Sequence, residues 1–411
     1  MTIGDTEIPS RRGALINRAW EPRMDALGGR QARRRFVYRA YLPAKIAEQG
    51  FPLESDLAAA SANAELACRR LDAEPPELDN FETLARQLLR AESVASSRIE
   101  GLVLSHRRLA KAAFSAETHD VTAQGVLANI HALERAVDLA TSVERLKPEH
   151  LLEVHRILFE GTRDERFAGE IRNEQSWIGG AASSPRDAEF VPAPPEFVPD
   201  LLDDLCAFLN RLDLPASIQA AIAHVQFETI HPFHDGNGRV GRALILAVLR
   251  RRGVATIRLP PVSLALSGEA DRYIAGLTSW RIGDEEDWYT VFIDALFRAA
   301  TGAGDFAAGV AELQRRWAEM AGSPRKGSGA RRLIELLPSQ PIVNTKTVAT
   351  LLGGTEERAR VAIRRLEDAG VLRQTSVGPR NRVWECVGLF DQLDRFERKL
   401  GPADRTPHPT R

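Results

Sequence analysis

Cysteine is scarce in this chain, with three in 411 residues. Cys68, Cys206 and Cys386 stand far apart and form no C-x-x-C pair, which suits a reducing cytosol and argues against a structural zinc site. Charge of one sign is missing as well. Fifty-five basic residues (55) oppose 56 acidic ones for a net charge of -1, so there is no global attraction to nucleic acid or to a membrane surface, although local patches can differ. No apolar run approaches bilayer length, and the first residues lack a signal-peptide core. The expectation is a soluble, cytoplasmic protein with no membrane partner. Hydrophobic content of 44% and charged content of 27% are ordinary for a globular protein, and the length allows two or three domains.

What the chain does have is concentrated in residues 231–242, His231-Pro232-Phe233-His234-Asp235-Gly236-Asn237-Gly238-Arg239-Val240-Gly241-Arg242, followed by the apolar run 243–249. The apolar run of good helix formers puts Gly236 and Gly238 at a helix N-terminus, where backbone N–H groups lack partners and the dipole is positive. Glycines there let the backbone curl around an anion. Arg239 and Arg242, three apart, share one face and can point at the same anion. Asp235 is placed to hold a divalent cation between itself and phosphate oxygens. His231 can act as a base near neutral pH. The set describes a site for a polyphosphate, a metal and a nucleophile that must lose a proton.

The string His-Pro-Phe-x-Asp-Gly-Asn-Gly-Arg-x-x-Arg resembles the signature of the Fic family. The resemblance implies a helical Fic fold with a small β-hairpin flap; with the helical N-terminal domain and the C-terminal winged helix-turn-helix that the residue pattern elsewhere in the chain suggests, the chain reads as mainly α. The resemblance also implies a nucleotidyltransferase that moves AMP from ATP, with Mg²⁺, to a Ser, Thr or Tyr hydroxyl of a target protein, itself included. His231 would take the hydroxyl proton and Asp235 would hold Mg²⁺. The amides of Gly236, Asn237 and Gly238, with the Asn237 side chain, would cradle the phosphates, and Arg239 and Arg242 would neutralise the departing end. Phe233 would point inward and anchor the loop. A family branch with Lys in place of the second glycine moves the γ-phosphate instead, and Gly238 disfavours that chemistry here. Removal of AMP from a modified target is the enzymatic alternative. Family members often form homodimers.

Upstream, residues 1–35 are Gly- and Arg-rich and end in Arg33-Arg34-Arg35, which reads as a flexible basic start. Residues 36–120 read as a helical N-terminal domain with helices over 53–71 and 80–97, punctuated by Pro75 and Pro76. Gly101 is an ordinary helix stop by composition. The stretch Ser96-Ser97-Arg98-Ile99-Glu100-Gly101 also resembles the family's inhibitory motif, with Ser96, Glu100 and Gly101 in the matching positions. The resemblance implies that Glu100 pairs with Arg242, occupying the guanidinium meant for the γ-phosphate and so blocking the reactive pose.

Residues 121–302 read as the catalytic core, with amphipathic helices over 121–140, 148–159, 199–212 and 218–230. Residues 169–180 with 190–192 break the helical rhythm and predict a β-hairpin around a Gly/Ala/Ser/Pro loop. In the family a hairpin flap here holds the target by main-chain pairing, which assigns Ser176, Trp177, Ile178 and Gly179 to target docking. Residues 257–266 read as extended or loop, and 267–282 and 288–300 as helices. The family often carries a tyrosine pair near the nucleoside. Here only Tyr273 is present, followed by Ile274, and the resemblance assigns Tyr273 to the base pocket.

Residues 303–329 read as a helix and a flexible linker, 330–400 as a separate winged helix, and 401–411 as a flexible tail. The segment from residue 325 to 400 carries a net charge of about +6. Its presumed recognition helix bears Arg358, Arg360, Arg364 and Arg365, while Glu356, Glu357, Glu367 and Asp368 dilute the patch. Winged helices bind DNA or proteins, and both partners stay open, as does the reading of the chain as a DNA-binding regulator.

Overall fold

Good helix formers dominate the chain, and helices dominate the computed structural model, which describes residues 11–21, 35–73, 81–115, 119–180, 183–375 and 382–401. Strands β1 (Gly13–Trp20) and β2 (Phe36–Pro43) come first. Then follow α1 (Ser55–Ala73), α2 (Phe81–Ile99), α3 (His106–Phe114), α4 (Val121–Ser142), α5 (Pro148–Phe159), α6 (Val198–Leu209), α7 (Ala216–Ile230), α8 (Asn237–Arg251), α9 (Val262–Gly268), α10 (Ala270–Ile282) and α11 (Glu285–Met320). The chain closes with α12 (Gly329–Leu336), β3 (Ile342–Asn344), α13 (Thr345–Leu352), α14 (Glu356–Asp368), β4 (Leu372–Gln374), β5 (Val383–Cys386) and α15 (Leu389–Leu400). No helix among the described residues is long and apolar enough to cross a membrane.

The expected flexible start is corrected at β1, which pairs antiparallel with β2 from Gly13 opposite Pro43 to Trp20 opposite Phe36. Residues 1–10 and 22–34 lie outside the described residues. The reason is cross-strand: Trp20, Arg18 and Ile16 share a face with Phe36, Tyr38 and Ala40, and such pairs outweigh a Gly- and Arg-rich local composition. The expected hairpin flap is reduced to a single antiparallel bridge, Ile178 with Phe190, whose amides and carbonyls exchange bonds at 2.8 and 3.2 Å. The neighbouring chain is instead tied to β2, since the Tyr41 amide donates to the Val191 carbonyl at 2.8 Å.

The chain divides into two compact units. One comprises the described residues of Met1–Ala62, His131–Arg252 and Asp271–Ile293. Its centre is α7, expected to be amphipathic but buried on every side. Small residues make that possible: Ala220, Ala221 and Ala223 on α7, and Gly241 on α8, where a Cβ would lie 3.0 Å from Phe227 Cδ1 and 3.2 Å from His224 Nδ1.

The other unit comprises the described residues of Asn63–Ile130, Gly253–Ala270 and Asp294–Arg411. Residues 330–400, expected as a separate winged helix, are therefore not a separate body. Leu84, Leu88 and Ala91 of α2, Phe306, Val310 and Trp317 of α11, and Leu333, Ile342, Leu366, Trp384 and Leu393 of the winged helix form one core. The expected break at residue 302 is absent, and α11 runs on to Met320. Gly302 serves close packing there, since a Cβ would meet the Leu400 side chain at 2.9 Å. The winged-helix sheet has the order β3-β5-β4, antiparallel throughout, and Ser328, Asn344 and Thr355 cap α12, α13 and α14. Residues 376–381, between β4 and β5, lie outside the described residues, as does most of the tail. Residues 257–266 are also corrected, because helix α9 starts inside them. Its start is capped from afar by Glu92 of α2, whose carboxylate accepts from the Ser263 amide at 2.8 Å and hydroxyl at 2.5 Å.

Candidate active site

His231 ends α7 in the left-handed region, with φ 52 and ψ 63. A residue with a Cβ is disfavoured there by roughly 1–2 kcal/mol, so the surroundings must impose it. Arg172 does so. Its backbone amide donates to the Pro232 carbonyl at 3.0 Å and its Nε to the His231 carbonyl at 2.7 Å. Its Nη groups reach the carbonyls of Glu174 (3.0 Å), Ile230 (3.4 Å) and Ala193. Burial lowers the Arg172 pKa to about 10, still well above neutrality, so the guanidinium remains charged among carbonyl oxygens that suit it.

The loop after His231 is braced from two sides. Asn237 accepts from the Phe233 amide at 2.8 Å and donates to the Phe233 carbonyl at 2.9 Å. The Phe233 ring is buried, as expected, and stacks on His155 with centroids 3.8 Å apart. His155 is itself fully buried, and burial lowers its pKa to about 4. It is therefore neutral, and its partners assign the tautomer: Nε2–H donates to the Asp235 carbonyl at 3.0 Å, and Nδ1 accepts from the Gly169 amide at 2.9 Å.

Gly236 is the N-cap of α8 with φ 78, and a Cβ there would lie 2.6 Å from Phe159 Cε2. Conformation and space both require glycine. The first intrahelical bond runs from Val240 to Gly236, so the amides of Asn237, Gly238 and Arg239 belong to the open, positive end of α8. Arg239 is 7% exposed and lies over the Phe159 ring at 5.2 Å, while Arg242, one turn on, is 1% exposed. Asp235 stands at the rim with its side chain 64% exposed. Its Oδ1 accepts from the Gly236 amide at 2.6 Å and its Oδ2 lies 3.4 Å from Arg239 Nη2.

The remaining expected residues take varied places. Tyr273 is 4% exposed, and its hydroxyl sits 2.8 Å from His224 Nε2. His224 is buried and held neutral by burial and by the charge of Arg242, with its pKa lowered to about 3. Trp177 packs edge-on against Trp20 at 5.6 Å, Ile178 is exposed, and Gly179 has φ 73. In the other unit Ser96 is buried on α2, Glu100 is exposed at its end, and Gly101 has φ 82. Of the winged-helix arginines, Arg365 donates to the Ala321 carbonyl at 2.7 and 3.1 Å, and Arg360 is paired with Glu356 (3.1 Å) and Glu357 (3.2 Å). Arg358 and Arg364 are exposed.

Residues 145–249 match the family model of the Fic/DOC family, and residues 58–138 match that of the Fic/DOC family N-terminal region. The chain carries a Fic/DOC domain. A Fic family protein from Desulfovibrio desulfuricans G20 shares the fold, with a TM-score of 0.51 and 20% identity over 82% of this chain and 98% of that one. The chain is also similar in sequence to protein adenylyltransferase fic-1 of Caenorhabditis elegans, 34% identical over 149 residues, which is 36% of this chain and 26% of the relative. A probable protein adenylyltransferase of Aquifex aeolicus is 42% identical over 71 residues, 17% of this chain and 22% of the relative. The chain spans about a quarter of the length of the curated relatives it matches.

Sequence reasoning missed Arg172 and His155 in the Fic domain. Neither belongs to residues 231–242, and only the fold brings them to that loop. It also gave the Asn237 side chain to phosphate, whereas the structure engages that amide with Phe233.

Proposed function

We propose that this chain is a protein adenylyltransferase that moves AMP from ATP to a Ser, Thr or Tyr hydroxyl of a protein. The observation that carries the reading is the joint geometry of one loop: His231 fixed at the left-handed end of α7, and beyond it the open amide end of α8 with two buried arginines. The names of the similar proteins support AMP transfer over other uses of a phosphate nest.

His231 takes the proton of the target hydroxyl, whose oxygen bonds to the α-phosphorus as the bond to the pyrophosphate oxygen breaks. The amides at the start of α8 face the phosphates, and Arg239 and Arg242 offset the charge of the leaving pyrophosphate. Because the loop is already braced by Arg172, Asn237 and His155, little reorganisation is left for the reaction itself. A single exposed carboxylate at the rim fits Mg²⁺, which takes one or two carboxylates plus substrate phosphates, and no cluster of three or more metal-binding side chains occurs among the described residues. Asp235 would hold the ion, which when bound supplies charge neutralisation at the phosphates. The segment Ser176–Gly179, bridged to Phe190 through Ile178, docks the target, and Glu100 restrains the reaction.

The test uses ATP labelled at the α- or the γ-phosphate. Glu100→Gly protein is expected to transfer α-label to itself or to a lysate protein faster than wild type, with no γ-label, and His231→Ala in that background to transfer none. Transfer of γ-label instead, or α-label transfer that survives His231→Ala, rejects the reading.

A further inference from the structure

The turn that bears Glu100 is closed by a buried carboxylate of the winged helix. Glu100 follows the last turn of α2, and Gly101, in the left-handed conformation, ends that helix: its amide donates to the Arg98 carbonyl and the Leu102 amide to the Ser97 carbonyl, both at 2.9 Å. Ser105 then caps α3, whose first residue is His106. Arg98 precedes the turn and His106 follows it, and both converge on one oxygen. Arg98 Nη2 and His106 Nε2 each lie 2.8 Å from Oε1 of Glu397 on α15. Glu397 is 4% exposed. Burial works to raise its pKa, and the contacts from His106 and Arg98 overcome it, holding the carboxyl at about 2 and therefore ionised.

An ionised carboxylate this deep costs free energy unless it is paired, and an apolar pair of similar volume would hold two helices together at least as well. What the ionised carboxylate adds is direction, because one oxygen can meet both the Arg98 guanidinium and the His106 ring nitrogen only when the two ends of the turn stand in one relation. Helix α15 has little freedom of its own. Phe396 stacks on Phe306 of α11 at 4.9 Å, and Leu393 and Leu400 lie in the common core. On its other flank α2 is fixed by Asn129, which donates to the Ser93 carbonyl and the Ser97 hydroxyl, both at 3.1 Å. The end of α2 is thus set from α4 on one side and from the winged helix on the other.

We propose that Glu397 is a positioning residue for Glu100, and that the winged helix acts as a regulatory domain of the transferase by fixing the inhibitory turn through it. This rests on the restraint by Glu100 stated above. A displacement of α15, by a ligand of the winged helix or by mutation, loosens both ends of the turn together and releases the enzyme.

The test is self-modification of the full chain with α-labelled ATP. Glu397→Gln is expected to raise the initial rate by about fivefold or more, toward the Glu100→Gly level, and to change the rate of Glu100→Gly protein by less than about twofold. Arg98→Met is expected to release the enzyme likewise, and Arg98→Lys, which keeps the charge, to hold the wild-type rate. A merely structural Glu397 would lower the rate in the Glu100→Gly background, and that result overturns the proposal. So does a wild-type rate for both Glu397→Gln and Arg98→Met while Glu100→Gly is fast. If Glu100→Gly itself has no effect, the restraint falls and this inference with it, so the two failures are told apart. Should Glu397→Gln not fold, the Arg98 pair decides alone, because that side chain is partly exposed.

Discussion

Asn237 closes on the backbone of Phe233 from both directions, accepting its N–H at 2.8 Å and donating to its carbonyl at 2.9 Å. The asparagine of the loop is thereby part of the loop's frame. Asn237→Ala leaves two buried backbone groups without partners, at roughly 1–3 kcal/mol each. A lower melting temperature and a lower kcat are expected together. Asn237→Asp keeps the acceptor and loses the donor, so a smaller fall in both is expected. An unchanged melting temperature in the alanine variant would mean that the side chain is not part of the frame.

Gly236 and Gly101 both have positive φ, yet their surroundings differ. At Gly236 a Cβ would strike the Phe159 ring, and at Gly101 it would meet nothing within 4 Å. Gly101→Ala is expected to cost about 1–2 kcal/mol from conformation alone. Gly236→Ala adds overpacking of roughly 1–3 kcal/mol. Urea denaturation of the two variants measures the difference.

Arg172 acts on His231 through the carbonyls around it. Arg172→Met is expected to lower kcat for AMP transfer by on the order of a hundredfold through misplacement of the base, with a smaller change in KM for ATP. Arg172→Lys should not rescue it, since an ammonium cannot reproduce the fork that reaches several carbonyls at once. Steady-state kinetics in the Glu100→Gly background separates kcat from KM.

Acid should destabilise the Fic unit before it protonates most carboxylates. The unfolded chain takes up a proton on a histidine near pH 6.5, whereas folded His155 resists it down to about 4 and His224 down to about 3. The unfolded state therefore binds more protons in that window, and stability falls as pH drops from 6.5 toward 4. The loss is on the order of 3 kcal/mol for His155 alone. Melting temperatures are expected to be flat above pH 7 and to fall across the window. Replacement of His155 by Asn should flatten the fall, even at a lower absolute melting temperature. Glu397, held at about 2, adds its own loss only below about 4.5.

Much of the secondary structure was legible, because the signals there are local. The helix periodicity of 148–159 appears as α5 at the same bounds, and that of 218–230 falls within α7. Illegible elements had distant partners. Strand β1 depends on aromatic residues across a connection outside the described residues, and α9 takes its N-cap from Glu92 of α2. The glycine at 302 read as a boundary and is instead a packing site within α11.

By itself the sequence determined which chemical groups residues 231–242 bring together. Base, acid, amides and arginines come from one continuous stretch, and helical spacing fixes how Arg239 and Arg242 relate whatever surrounds them. Only the tertiary structure decided what holds that stretch in shape and what the winged helix is joined to. Arg172, His155 and Glu397 act through space, on residues from 59 to 299 positions away. Burial gives those contacts their effect, since a charge or an imidazole that would be indifferent in water must find its partner once water is gone.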